Sequence, residues 1–239
     1  LDYMTSLLFV MTHDYSVTAE ALKAKHLEYG RLVDNWVQQQ GMTLALNNSK
    51  DPHRKLRVGF VSGDLRKHPV TNFLLPFWDA IDRSQFELVG YNTGRMSDFV
   101  TEHLRSTSVL WRSVDQLNSA ELAQQINADG IDILFDLSGH TTDNRLATFA
   151  LRPAPVQISW IGYPGTTGIR NMDYLLLKST LRFPDDLESH LVEKIIFIDM
   201  PTVFRPEPGC PQVNPLPALQ NGHITYGSFN RPKKINADV

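Results

Sequence analysis

Short apolar runs alternate with amphipathic segments over most of the chain from Lys55 onward. Apolar runs of about four to eight residues are typical of buried strands, whereas apolar residues that recur every three or four positions indicate helices. The pattern predicts strands at 56–62, 86–92, 109–114, 131–137, 156–162, 174–177 and 194–198, and helices at 70–81, 98–105 and 119–129. This alternation favours right-handed βαβ units in an α/β fold, with a Rossmann-like, doubly wound parallel sheet.

The regions on either side of this alternation have other patterns. Residues 16–40 have apolar positions at helical spacing after Ser16 or Thr18, either of which can cap a helix, so a helical leader is predicted over 1–52. An α/β domain is predicted at 53–205, and the proline-rich stretch that follows predicts a linker at 206–222. An apolar run at 224–229 predicts the first strand of a further domain over 223–239. Since a lone strand cannot form a domain, we expect the chain to be a piece of a longer protein.

Composition narrows the classes of partner. The 239 residues carry a formal charge of -3 and no long run of one sign, which does not indicate strong attraction to nucleic acid or to a membrane surface. No apolar run approaches the ~20 residues that span a bilayer. The single cysteine, Cys210, excludes an internal disulfide and is interpreted as an unreactive thiol. A cytoplasmic protein is expected.

Three polar loops each follow a predicted strand. They cover residues 63–69, 138–142 and 162–168, and are named here the histidine loop, the serine loop and the glycine-rich loop. Because the carboxyl ends of parallel strands meet at one edge of a sheet, we expect these loops to converge on one crevice. That convergence predicts a ligand site, and with it an enzyme.

The first two loops carry the candidate polar side chains. His68 can bond a sugar hydroxyl or act as acid or base, or it can merely cap the helix that follows, and its sequence position leaves both roles open. Asp136 ends a strand, and Ser138, His140 and Thr141 follow it. These residues suit a polyhydroxylated or phosphorylated ligand. Helix capping is the alternative, but it accounts for only one residue of the cluster.

Other motifs are weaker or missing. The glycine-rich loop is neither a dinucleotide fingerprint nor a Walker loop. Arg152 can clamp an anion or pair with a structural carboxylate, and the structural role is favoured. The sequence has no zinc-ligand spacing, no Asp-x-Asp pair and no Gly-x-Ser-x-Gly elbow, which disfavours metal-dependent transfer and serine hydrolysis. No metal site is therefore expected.

Three strings carry a family resemblance: VGFVSGDLRKHP, DLSGHTTDNRLATFALRPAPVQISWIGYPGTTG and SFNRPKKI. Over residues 55–239 they closely resemble the O-GlcNAc transferases of glycosyltransferase family 41. The leader resembles the segment that joins tetratricopeptide repeats to the catalytic region in bacterial members. The resemblance implies the N-terminal half of a GT-B enzyme, with upstream repeats and a C-terminal catalytic domain as partners within the same protein. This piece alone is then expected to be inactive.

The same resemblance implies an activity and its residues. The reaction would move GlcNAc, with inversion, from UDP-GlcNAc to Ser or Thr hydroxyls of acceptor proteins, without a cofactor. His68 matches the active-site histidine once favoured as general base, and Lys234 matches the lysine that holds the diphosphate. Asn230 and Arg231 match the adjoining uridine-side turn.

Two loops would face the donor sugar. Thr141, with the backbone around Ser138, resembles the segment that faces sugar and diphosphate, and the loop beside the GlcNAc ring is matched by Ile161, Gly162 and Pro164. Animal members have Asn-Gly-Tyr-Thr at 138–141 and glutamine at position 231, so the donor and acceptor preferences stay open. Two alternatives remain: a protein O-fucosyltransferase that uses GDP-fucose, as in the SPINDLY branch, and a non-catalytic interaction module on a helical-repeat scaffold.

Overall fold

The computed structural model describes residues 1–180, 186–199 and 209–229. Its centre is a seven-stranded sheet in the order β3-β2-β1-β4-β5-β6-β7, in which every neighbouring pair is parallel. The strands are β1 (Leu56–Ser62), β2 (Phe86–Asn92), β3 (Leu110–Ser113), β4 (Ile133–Asp136), β5 (Val156–Ser159), β6 (Tyr174–Lys178) and β7 (Lys194–Ile198). The strand order reverses between β1 and β4, as the doubly wound prediction requires.

Helices connect the strands and precede them. They are α1 (Asp2–Met11), α2 (Ala19–Gln40), α3 (Pro69–Ala80), α4 (Phe99–Thr107), α5 (Ser119–Ala128), α6 (Leu146–Ala150) and α7 (Ala218–Asn221), and a 3₁₀ turn covers Leu187–His190. Local sequence sets their ends. Thr18 accepts a bond from the backbone of Ala21 at the start of α2, and Gly41 ends that helix in the left-handed conformation. Within the described residues, no helix has the length and apolar character needed to cross a membrane.

Each face of the sheet has its own core. In β1 the side chains of Val58 and Phe60 point into the cluster that α3 and α4 cover, while Val61 points into the cluster beneath α5 and the leader helices. This alternation is the two-residue period of a strand. Trp78 of α3 is fully buried on the first face. The helices therefore cover both sides of the sheet, which explains why most positions of its central strands are apolar.

The leader packs directly on the α/β unit. Leu8, Tyr29 and Val33 are buried in the same cluster as residues of the sheet. Helix α2 touches the glycine-rich loop so closely that a Cβ on Gly30 would lie 2.1 Å from the carbonyl oxygen of Gly168. Only glycine permits that backbone approach.

Most predicted elements are found, with three differences. Helix α1 and the short helices α6 and α7 were not predicted, and α7 lies inside the segment interpreted as a linker. The strands expected at 109–114, 131–137 and 156–162 are shorter: β3 and β4 lose residues at both ends, whereas the last three residues expected in β5 turn toward the glycine-rich loop. The strand expected at 224–229 is not found: the described residues there are exposed and adopt no strand conformation. A single strand without a hydrogen-bonding partner does not form.

Candidate functional site

The three polar loops lie beside the reversal of strand order. β4 is the neighbour of both β1 and β5, so the carboxyl ends of these three strands are adjacent at one edge of the sheet. The connections from β1 stay on the face of α3 and α4, whereas α5 and α6 lie on the opposite face. A crevice between the two sets of connections is where ligands bind in doubly wound sheets. The predicted convergence of the loops is found.

The serine loop contacts the end of β1 and the glycine-rich loop. Ser62, which ends β1, lies with its Oγ 3.4 Å from the Oγ of Ser138 in the serine loop. A Cβ built on Gly139 would lie 2.3 Å from the Cβ of Tyr163, and Gly139 has a φ of +52°. Glycine is therefore required there both by backbone conformation and by the neighbouring loop.

Asp136 is the polar centre beneath the serine loop. Its carboxylate is 1% exposed and accepts bonds from the backbone N–H groups of Ser138 (3.1 Å) and Gly139 (3.0 Å) and from the Ser159 hydroxyl (2.9 Å). Burial raises the pKa of Asp136 to about 6, in spite of these bonds, and the negative charge of Glu193 adds to the rise. Asp136 thus shapes the serine loop from below, and its carboxyl group titrates close to neutral pH.

His68 caps helix α3 at the mouth of the crevice. Its Nδ1 accepts the N–H of Val70 at 3.3 Å, and Thr71 completes a capping box by bonding back to the His68 backbone. The side chain is 31% exposed, and its Nδ1 lies 3.5 Å from Oδ2 of Asp64. The capping role left open by the sequence is therefore present. Capping uses only Nδ1 and leaves the other ring nitrogen available, because Nε2 forms no hydrogen bond with the described residues.

The two contacts of Nδ1 favour different tautomers of His68. Accepting from Val70 leaves the proton of the neutral ring on Nε2, which can then donate to a ligand. Donating to Asp64 would place that proton on Nδ1 and free the Nε2 lone pair as a base. Asp64 is therefore the neighbour that decides between a donor and a base at position 68.

Ser138 and Thr141 differ in access. The Ser138 side chain is buried, whereas Thr141 is partly exposed and donates its hydroxyl proton to the Ser138 carbonyl at 2.8 Å. The Thr141 oxygen can still accept a bond from a ligand.

His140 points away from the crevice, into the packing between leader and loop. It is fully buried, and its Nε2 bonds the carbonyl of Thr167 at 2.9 Å. Its ring contacts those of Tyr29, His26 and Tyr163, with centroids 4.7, 5.2 and 5.0 Å away. Burial lowers the pKa of His140 to about 3, so the ring is neutral. The sequence predicts that His140 donates to a ligand, whereas in the structure its ring packs between the leader and the glycine-rich loop.

Ile161, Gly162 and Pro164 lie at the start of the glycine-rich loop, where Ile161 and Gly162 are half-buried. Ile161 has a φ of +66°, and the N–H of Gly162 bonds the carbonyl of Trp160 at 2.9 Å, which defines a tight γ-turn. A β-branched residue at positive φ is strained, and such strain concentrates at functional sites. Pro164 is exposed beside this turn.

Arg152 and Cys210 take no part in the crevice. The Arg152 guanidinium lies 3.0 Å from Asp173 and also bonds the carbonyls of Pro155 and Asn171, which is the favoured structural role. Cys210 is exposed.

Three supporting residues were not found from the sequence: Asp64 beside His68, Ser159 beneath Asp136, and Glu193 behind the glycine-rich loop. Ser159 did carry a signal, since it is a polar residue at the carboxyl end of an apolar strand. Glu193 lies 26 residues from its partner Thr167, and no local pattern indicates that contact. Asn230, Arg231 and Lys234 lie outside the described residues.

Comparison with known proteins places the chain in a family. Residues 3–205 match the model of glycosyl transferase family 41. The chain is 33% identical over 236 residues to the probable UDP-N-acetylglucosamine–peptide N-acetylglucosaminyltransferase SPINDLY of Petunia hybrida, covering 97% of this chain and 25% of that protein. It is 31% identical over 206 residues to the UDP-N-acetylglucosamine–peptide N-acetylglucosaminyltransferase of Caenorhabditis elegans, covering 83% of this chain and 17% of that protein.

A solved structure agrees with the sequence comparison. A mutant of the Thermobaculum terrenum O-GlcNAc transferase superposes with a TM-score of 0.77 at 35% identity, covering 90% of this chain and 41% of that one. The chain spans a quarter or less of these two curated relatives. All three loops lie inside the range that matches the family, and the chain belongs to glycosyl transferase family 41.

Proposed function

We propose that the protein transfers GlcNAc, with inversion and without a metal or other cofactor, from UDP-GlcNAc to Ser or Thr hydroxyls of cytoplasmic proteins. The observation that carries the proposal is the meeting of the histidine, serine and glycine-rich loops where the strand order reverses, in a chain of this family. The names of two relatives include the same donor and a peptide acceptor. Upstream repeats and a C-terminal catalytic domain are the expected partners in the whole protein.

The reaction sets two demands. The acceptor oxygen forms a bond to the anomeric carbon while the bond from that carbon to the diphosphate breaks, so an electron pair leaves on UDP. The hydroxyl proton must pass to a base or to solvent. Positive and N–H groups stabilise the departing charge, and by resemblance Lys234 supplies the cation while Asn230 and Arg231 adjoin the uridine. Thr141, Ile161, Gly162 and Pro164 would receive the sugar.

The donor is tested with the full-length protein and radiolabelled UDP-GlcNAc or GDP-fucose. Label transferred from UDP-GlcNAc to Ser or Thr supports the proposal, whereas label from GDP-fucose alone establishes the fucosyltransferase alternative. Transfer from neither donor favours the non-catalytic module. Replacing Lys234 by alanine should lower turnover by about 10²–10³-fold, because one group that stabilises leaving-group charge is lost. Lys233→Ala is the matched control.

His68 is tested separately, because the structure offers it two roles. As a general base it should lose about 10²–10⁴-fold in kcat on His68→Ala, and Asp64→Asn should lower kcat as well, since it weakens the tautomer that the base needs. As a positioning donor it should lose less than about tenfold in kcat and raise the acceptor KM instead. His103→Ala is the control, because His103 is an exposed histidine that pairs with Asp79 at 2.7 Å outside the three loops.

A further inference from the structure

Glu193 is a buried carboxylate whose partners all belong to the glycine-rich loop. It immediately precedes β7 and is 6% exposed. Its Oε2 accepts the Thr166 hydroxyl at 2.6 Å, and its Oε1 accepts the Thr167 N–H at 2.7 Å and the Thr167 hydroxyl. No cationic side chain of the described residues forms an ion pair with it. A carboxylate buried without a cation is costly, so these three neutral donors must offset its desolvation.

The direction of the bonds requires an acceptor at position 193. The Thr166 hydroxyl already accepts the N–H groups of Gly168 (3.1 Å) and Val192 (3.2 Å), so the one proton it can donate goes to Glu193. The Thr167 N–H likewise needs an acceptor. Glutamine in the same place would turn its amide nitrogen toward one of these donors, whichever way the amide is oriented. Only a carboxylate satisfies both sides.

Other contacts hold the rest of the loop. The Thr167 carbonyl accepts from His140 at 2.9 Å, so Thr167 is held on two sides. At the opposite end, Ile161 is kept at a φ of +66°. Such backbone strain persists only where surrounding contacts over-determine it. The loop is therefore fixed at one end by Glu193 and His140, while the strained residue Ile161 immediately precedes its other end.

We propose that Glu193 is a positioning residue, which acts through Thr166 and Thr167 to hold the glycine-rich loop in the shape that receives the donor sugar. The proposal rests on the proposed function, since it assigns the sugar to the end of the loop that begins with Gly162. Glu193 does not touch the sugar itself, because its carboxylate is closed off by the two threonines. Replacing Glu193 should therefore change the binding of the donor more than the transfer of the acceptor hydroxyl proton.

The test uses the full-length enzyme with Glu193→Gln, and with Glu188→Gln as an exposed control of the same charge. Glu193→Gln should raise the donor KM about tenfold to 10²-fold, because small displacements of a binding loop have effects of that size. Hydrogen exchange should also become faster in the peptide that covers residues 160–173. A merely structural role would lower apparent kcat through loss of folded enzyme and leave the donor KM unchanged.

A second pair of variants keeps the test decisive if Glu193→Gln folds poorly. Thr167→Val removes the hydroxyl that donates a hydrogen bond to Glu193, whereas Thr167→Ser retains it. Valine should raise the donor KM, serine should not, and combining Thr167→Val with Glu193→Gln should add little, since the two act as one unit. An active wild type with an unchanged donor KM in both Glu193→Gln and Thr167→Val overturns this inference alone. A wild type that transfers no sugar overturns the proposed function. Hydrogen exchange over residues 160–173 still tests whether Glu193 holds the glycine-rich loop in place.

Discussion

The backbone of Gly162 lies against the carbonyl group of Leu137, so that a Cβ added to Gly162 would stand 2.1 Å from the Leu137 oxygen and 2.7 Å from the Cα of Ser138. Both obstacles are backbone atoms, which cannot swing aside as a flexible side chain can. The serine and glycine-rich loops therefore hold their positions through direct main-chain contact. The strained turn at Ile161 immediately precedes this contact.

Gly162→Ala should force the two loops apart. We expect the free energy of unfolding to fall by about 1–3 kcal/mol, as for other overpacking substitutions, and the donor KM of the full-length enzyme to rise. Urea unfolding and donor saturation curves measure the two effects. Gly165→Ala is the control within the same loop, because its Cβ would meet only the Tyr163 ring, at 3.2 Å. Equal behaviour of the two variants would contradict the role of this contact.

Tyr163 links the glycine-rich loop to the leader. Its hydroxyl lies 2.9 Å from Nε2 of His26, whose Nδ1 is bonded to the carbonyl of Leu22. Nδ1 therefore carries the ring proton, and Nε2 accepts from the tyrosine. Tyr163→Phe should lower the free energy of unfolding by about 1–3 kcal/mol, since a buried acceptor loses its donor. Urea unfolding checks this against Tyr15→Phe, an exposed tyrosine that should change little. Equal stabilities would exclude a contribution from the bond.

Sequence patterns were most reliable where a strand lies in the core. β1 and β2 were predicted to the residue, because two-sided burial requires an unbroken apolar run. Side-chain direction in the loops was not predictable. The sequence predicts that His140 faces a ligand, but a loop has no regular alternation of side-chain directions from which this could be derived. In the structure the ring of His140 packs against Tyr29 of α2. The positive φ of Ile161 and the contact from Glu193 also depend on tertiary structure that a local pattern does not encode.

The two buried histidines should make the protein sensitive to acid. Burial lowers the pKa of His26 to about 4 and that of His140 to about 3, from the ordinary 6.5. Below pH 6.5 the unfolded chain binds protons that the folded one does not, so stability is complete above that pH and is lost as the pH falls toward 4. Each histidine should lower the free energy of unfolding by about 2 kcal/mol between pH 6.5 and 5, at 1.36 kcal/mol per pH unit.

Urea unfolding of His26→Gln and His140→Gln at these two pH values measures that contribution. Each variant should show a smaller loss of stability on acidification than the wild type, whatever its stability at pH 7. His53→Gln is the control, because His53 is an exposed histidine. A pH dependence that is unchanged in both variants would show that these rings are not the groups that take up the protons.

Asp136 should act in the opposite direction. Burial raises the pKa of its carboxyl from 3.8 to about 6, so between these values the folded protein binds a proton that the unfolded chain has released. Its contribution therefore favours folding at low pH and weakens as the pH rises from 4 to 6, by up to about 3 kcal/mol.

Asp136→Asn removes this titration and keeps the size and shape of the side chain. Relative to the wild type, the variant should gain stability over that window, as measured by urea unfolding at pH 4, 5, 6 and 7. Asp51→Asn, an exposed aspartate, is the control. A difference between wild type and Asp136→Asn that stays constant with pH would mean that Asp136 keeps an ordinary pKa in the folded protein.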